Sequence, residues 1–108
     1  MNLPTEIFGN VVVIHSPDEL SADQSEMFQK YLTTQERQNV VLDLDNAESI
    51  TSEGLEALLD AQDNLRLQTG DLKIATTNFV NRKILEITHV DEHLEVFESV
   101  IDAVKSFR

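Results

Sequence analysis

Cysteine is absent from the chain, so no disulfide framework is available and the composition fits a reducing compartment. None is needed, because 108 residues bury enough apolar surface to fold without a disulfide or a metal. Glycine and proline number only three and two, which leaves little material for linkers. With no repeat or low-complexity stretch either, one domain over residues 1–108 is expected. No apolar run exceeds the four residues Val11 to Ile14, too few for a signal peptide or a membrane-spanning helix. The expectation is a soluble, cytoplasmic protein with no direct membrane insertion. Basic residues are scarce, 8 against 20 acidic, for a formal charge of −12. Such a surface repels phosphate backbones and anionic lipid, which argues against nucleic acid and membranes as partners.

The glycine shortage also bears on chemistry. Three glycines, at 9, 54 and 70, cannot supply G-x-G-x-x-G or G-x-x-x-x-G-K-[ST], and no G-x-S-x-G occurs. Phosphate loops and nucleophile elbows are thereby excluded. Asp43, Asp45 and Glu48 gather at a strand end, where an acid/base pair or a metal could sit, but in so acidic a chain they read first as turn solvation. His89 and His93 are four apart with no third ligand, and their segment reads as a helix exit. His15 closes an apolar strand and reads as a structural histidine. The expectation is no enzyme, no cofactor and no metal.

What the chain does contain is regular alternation. Val11 to Ile14 is a β-branched run suited to a strand covered on both faces, and Glu6 to Phe8 precedes it across a Gly9-Asn10 turn. Leu20, Met27, Phe28, Tyr31 and Leu32 recur at helical spacing. Val40 to Leu44 is a second buried strand, followed by a helix carrying Leu55, Leu58, Leu59 and Leu65 that closes at Thr69-Gly70, with glycine as the left-handed cap. Leu72 to Ala75 is a third, and Asn78 caps a helix with Val80, Ile84, Leu85 and Ile87. Leu94 to Phe97 is a last strand, and Ser99 opens a helix with Val100, Ile101, Val104 and Phe107 on one stripe. This order predicts an α/β domain with a mixed, mostly parallel β-sheet of about five strands backed by about four helices.

One segment stands out. After the strand Val40 to Leu44, a short polar loop leads through Ile50 to Thr51-Ser52-Glu53-Gly54-Leu55, where a helix opens. A helix start has unpaired amides and a dipole that favours negative charge. Thr51 or Ser52 can cap it, Glu53 sits in its first turn, and a phosphate on an exposed hydroxyl there would meet the same donors. Gly54 allows close backbone approach.

These residues resemble the signature of STAS domains, the anti-sigma factor antagonist family, in which a V-x-L-D-L-like strand precedes D-S-[ST/A]-G-L and a leucine-rich helix. Gly70 to Ala75 is similar to the family's G-x-x-L-x-L-x strand, and Val80 to Asp91 to its V-x-R-x-L-x-L-T-G-L-D. Leu94 to Ala103 is similar to its closing strand and helix, so the likeness spans about Val11 to Val104. The resemblance implies a non-catalytic bacterial switch in transcription regulation. Its expected partners are an anti-sigma factor or serine kinase and a PP2C-type phosphatase. It also implies a phosphorylation candidate, Ser52, and partner-binding residues Thr51, Ser52, Glu53, Gly54, Leu55 and Leu58.

The chain departs from the pattern in four places. Thr51 replaces the family's aspartate, and Glu53 takes the second Ser/Thr position. Ser16 to Leu20 replaces an early G-x-L-D, and His89 replaces the glycine after Thr88. The alternative is therefore an unphosphorylated STAS subunit of a transport or signalling complex, with Glu53 as a one-charge mimic of phosphate.

Overall fold

Val11 to Ile14 are buried to 2% exposure or less, as an apolar run covered on both faces requires. The computed structural model describes residues 1–107. In it, β1 (Thr5–Phe8) and β2 (Val11–His15) form an antiparallel hairpin, with Gly9 at φ +63° in the turn. The strand β3 (Glu19–Leu20) follows, then a 3-10 turn and helix α1 (Ser25–Thr33). Next come β4 (Asn39–Asp43), β5 (Ser49–Ile50) and helix α2 (Ser52–Leu67). The chain continues through β6 (Asp71–Ala75), α3 (Phe79–Ile87), a 3-10 turn, β7 (Val96–Phe97) and α4 (Val100–Lys105).

The main sheet has five strands in the order β1-β2-β4-β6-β7, parallel except for β1. Strand alternation sends Val12, Ile14, Val40, Leu42, Leu72 and Ile74 to one face, where they pack with Phe28, Leu32, Leu58, Leu65 and Leu85 of the helices. Val11, Val13, Val41 and Ala75 face the other way, against Ala103 of α4. The predicted architecture is present: an α/β domain with a mixed, mostly parallel sheet.

Three local expectations change. Leu20 belongs to β3, which pairs in parallel with β5 in a separate two-stranded sheet, and not to a helix. Two-residue strands carry no periodicity to detect. The left-handed residue closing α2 is Thr69, at φ +66°, and the Gly70 amide then donates to Leu65 O at 2.8 Å. Gly70 is needed for another reason: a Cβ there would strike the Gln38 carbonyl oxygen and lie 2.5 Å from Gln38 Cβ. The last strand shrinks to Val96–Phe97, because Leu94 is drawn into the core behind the turn Val90–Glu92.

His15 is a half-buried clasp among strands. Its ring nitrogens bond Asp43 Oδ2 at 2.9 Å and Glu6 Oε1 at 2.8 Å, joining β2 to both neighbours. The hydrogen bond to Glu6, reinforced by Asp43, raises the imidazole pKa despite the opposing pull of burial. A raised folded-state pKa contributes stability that is fully present below the unfolded value of about 6.5 and lost as pH rises through the folded pKa. An NMR titration of the ring should give a midpoint above 6.5 in the native chain and a lower one in Glu6→Gln. Coinciding midpoints would show that the clasp carries no linkage.

Candidate partner-docking site at the start of helix α2

Helix α2 begins where it does because Thr51 makes three bonds. Its Oγ1 accepts from the Gly54 amide at 3.2 Å and donates to Leu20 O at 3.0 Å, and its own amide donates to Leu20 O at 2.9 Å. A carboxylate at this position could accept from Gly54 but could not donate to Leu20. Thr51 thus fastens the helix start to β3 through a bond that the family's aspartate cannot make.

Gly54 completes the seat. It is buried, and a Cβ on it would meet the Leu20 carbonyl oxygen, with Leu20 Cβ at 2.8 Å and Leu20 C at 2.9 Å. Leu55 is 7% exposed and Leu58 is 0% exposed, both in the main core. Gly54, Leu55 and Leu58, three of the residues expected at the partner surface, are buried and turned inward, where they hold the helix in place. Thr51 is half-buried, and only Ser52 and Glu53 of the six expected residues are exposed. The Ser52 hydroxyl lies 3.4 Å from both Glu53 carboxylate oxygens. The amides of Ser52 and Glu53 have no acceptor among the described residues.

Beside this helix start lies an open groove of about 540 Å³, bordered by Asp18, Asp45, Glu48, Asn78, Val80 and Asn81. Asn81 is buried and donates through Nδ2 to Leu44 O at 2.8 Å and Ala47 O at 3.0 Å, shaping the loop between β4 and β5. Asp45 is committed to that loop as well: Thr76 Oγ1 and the Thr77 amide donate to Oδ1 at 2.8 and 2.7 Å, and Thr77 Oγ1 donates to Oδ2 at 3.1 Å. Burial pushes the Asp45 pKa up, but these hydrogen bonds outweigh it and hold the carboxyl below its usual value.

Asp43 is engaged by His15 and the Asp45 amide, so Asp43, Asp45 and Glu48 do not converge. His89, at φ +62° where the family has glycine, pairs with Glu92 at 2.8 Å. Among the described residues no group of three His, Cys, Asp or Glu is placed to hold a metal ion. No helix described is long and apolar enough to cross a membrane.

The family model for the STAS domain matches residues 2–103. The chain belongs to the STAS family. Solved STAS folds confirm the architecture. An anti-sigma factor antagonist from Mycobacterium paratuberculosis superposes with a TM-score of 0.82 at 18% identity, covering 97% of this chain and 92% of that one. The phosphorylated form of the Bacillus cell fate determinant SpoIIAA gives 0.70 at 15%, covering 99% and 100%. A sulfate transporter family protein from Wolinella succinogenes gives 0.79 at 15%, covering 94% and 87%. No curated protein sequence matches.

Helix α3 exposes apolar side chains at both of its ends. Phe79, Val80 and Ile87 of α3 are 72%, 64% and 73% exposed, so Val80 and Ile87 are not core residues. The signal was available: Phe79, Val80, Ile84, Leu85 and Ile87 are more apolar residues than one stripe of a nine-residue helix can bury.

Proposed function

We propose that this STAS domain is a non-catalytic regulatory module that binds a protein partner at the start of α2. The observation that carries the reading is the exposed Ser52-Glu53 pair, projected from a helix start that Thr51 and Gly54 lock onto β3. A helix start built this rigidly presents its hydroxyl and carboxylate in fixed geometry, which lowers the ordering cost of docking. The acidic groove and the exposed Val80 beside it extend the surface. They fit a partner that offers basic residues around an apolar contact.

By likeness to anti-sigma factor antagonists, the partner is an anti-sigma factor or serine kinase, opposed by a PP2C-type phosphatase. Phosphorylation at Ser52 would place nearly two negative charges beside Glu53 and one turn from Glu56, changing the charge and shape of the face that meets its partner. Incubation with the cognate kinase and ATP should add one phosphate by mass in the native chain and none in Ser52→Ala. Absence of both phosphate and a stable complex would overturn the proposal.

A second reading is favoured by Glu53 itself, an exposed carboxylate in the first turn of α2 within 3.4 Å of Ser52 Oγ. Here the domain is an unphosphorylated subunit of a transport or signalling complex, and Glu53 supplies a permanent single charge. The STAS fold of a sulfate transporter family protein is consistent with such a setting. Glu53→Ser should then weaken partner binding about fivefold, the upper range for one exposed ion pair. Titration calorimetry showing equal affinities would eliminate this reading.

A further inference from the structure

The five-stranded sheet is covered unequally on its two faces. Helices α1, α2 and α3 contribute to the core on one face, whereas only α4, six residues long, packs on the other. Five strands spaced by about 4.8 Å span roughly 19 Å, and a helix is about 10 Å across. Helix α4 lies over β2, β4, β6 and β7, and β1 at the edge of the sheet is exposed along its whole length.

The result is a groove of about 600 Å³ between the hairpin turn and α4. Its floor is Val11, 2% exposed, and its walls are Phe8 and Ile101, 46% and 65% exposed, with Val104 and Phe107 at its inner side. The hairpin wall is held in place, because Arg37 Nε donates to Gly9 O at 2.8 Å. The space beside Gly9 is open, with nothing within 4 Å of where a Cβ would stand.

The charge of the lining identifies the occupant. In a chain with 20 acidic and 8 basic residues, no carboxylate lines this groove among the described residues. Among the described residues its one charged lining residue is Lys105, the last residue of α4. Lys105 makes no ion pair among the described residues, whereas Lys73, behind Phe107, is committed to Ser106 Oγ at 2.8 Å and to the Phe107 ring at 4.3 Å. A mostly apolar groove with an ammonium-bearing side chain in its lining, and volume in the range of ligand sites, matches an alkyl chain that ends in an anion.

We propose that this groove binds a single-chain amphiphile with an anionic head, its chain lying over Val11 between Phe8 and Ile101 and its head meeting Lys105. The site is on the α4 face and does not involve Ser52 or Glu53, so it stands apart from the docking reading. The ligand class is a free long-chain carboxylate and not a bilayer, whose anionic surface the overall charge of −12 opposes.

The test is titration of the ¹⁵N-labelled chain with sodium octanoate, decanoate and dodecanoate, each below its micelle threshold. Amide shifts should be confined to the hairpin turn and α4. Affinity should rise by about two- to fourfold per added methylene until the groove is filled, fourfold being the value for complete burial. Decanoate should bind more tightly than decyltrimethylammonium. Lys105→Glu should weaken decanoate about fivefold, and Ile101→Asp should abolish measurable binding. Both positions are exposed, so both variants should keep the native spectrum. Shifts centred on α2, equal or tighter binding of the ammonium, or no saturable binding would overturn the proposal. So would self-association without amphiphile that Ile101→Asp removes, which would assign the groove to a second copy of the chain. Flotation with vesicles but no response to monomeric carboxylate would overturn it in favour of a membrane surface.

Discussion

Gly54→Ala is expected to destabilise the domain by about 2–4 kcal/mol, although the same exchange inside an exposed helix stabilises by about 1 kcal/mol. The sign reverses because of what the methyl group meets. The Leu20 carbonyl oxygen is its nearest neighbour, followed by Leu20 Cβ at 2.8 Å and Leu20 C at 2.9 Å. Two of these three are backbone atoms, and that backbone also takes the amide and hydroxyl of Thr51. It cannot retreat without loosening both bonds. To make room, α2 must lift from β3, which also withdraws Leu55 and Leu58 from the core.

The loss corresponds to a fall in Tm of roughly 10–20 °C for a domain of this size. Ser52→Ala, two residues earlier on the exposed side, should change Tm by about 2 °C at most, since surface substitutions mostly stay within about 0.5 kcal/mol. Thermal unfolding of the two variants side by side is decisive. If Gly54→Ala were neutral or stabilising, the close seat of α2 on Leu20 would be wrong. If Ser52→Ala were equally damaging, Ser52 would belong to the fold and not to the surface.

The role of Gly54 was half legible in the sequence. A glycine in the first turn of a leucine-rich helix signals close backbone approach, but nothing in the residue order says that the approaching backbone is Leu20. That contact depends on β3 and β5, each two residues long, which leave no trace in hydropathy. The long apolar strands, by contrast, were readable because Val11 to Ile14 and Val40 to Leu42 have no polar face to present to water. Helical spacing placed α2 and α3 correctly but could not say which apolar residues were surplus. Leu58 lies at the centre of the core and Ile87 on the surface, yet both occupy plausible positions on an apolar stripe.

The site shows the same division. Type and place of Ser52 and Glu53 could be read directly, since a helix start after a buried strand exposes its first turn. The groove beside them could not, because it is assembled from Asp18, the loop after β4 and the start of α3, which only the parallel crossover connections bring together.

Asn81 controls that assembly, and Asn81→Leu should cost about 2–3 kcal/mol while leaving the packing volume almost unchanged. The side chain is 3% exposed, so its amide hydrogens have no access to water in place of Leu44 O and Ala47 O. Leucine fills the same space without donating. Leu44 O would keep its bond from the Ala47 amide at 3.1 Å, but Ala47 O would be left buried with no partner. The penalty thus falls mainly on one carbonyl, in the loop that runs from β4 to β5 and on to Thr51.

Because the loop and not the core is released, the change should appear first as local opening. Hydrogen exchange at Glu48 and Ser49, whose amides donate to Asp18 O at 2.7 and 3.2 Å, should accelerate more than exchange in β2 or β4. Partner affinity at the α2 start should fall with it, since Ile50 and Thr51 are the next residues along the chain. In Asn81→Asp one carboxylate would face the two carbonyls, so the loss should be larger than with leucine. Uniform acceleration across the sheet would mean that Asn81 supports the fold as a whole. Unchanged exchange at Glu48 and Ser49 would show that the groove and the helix start are set independently of α3.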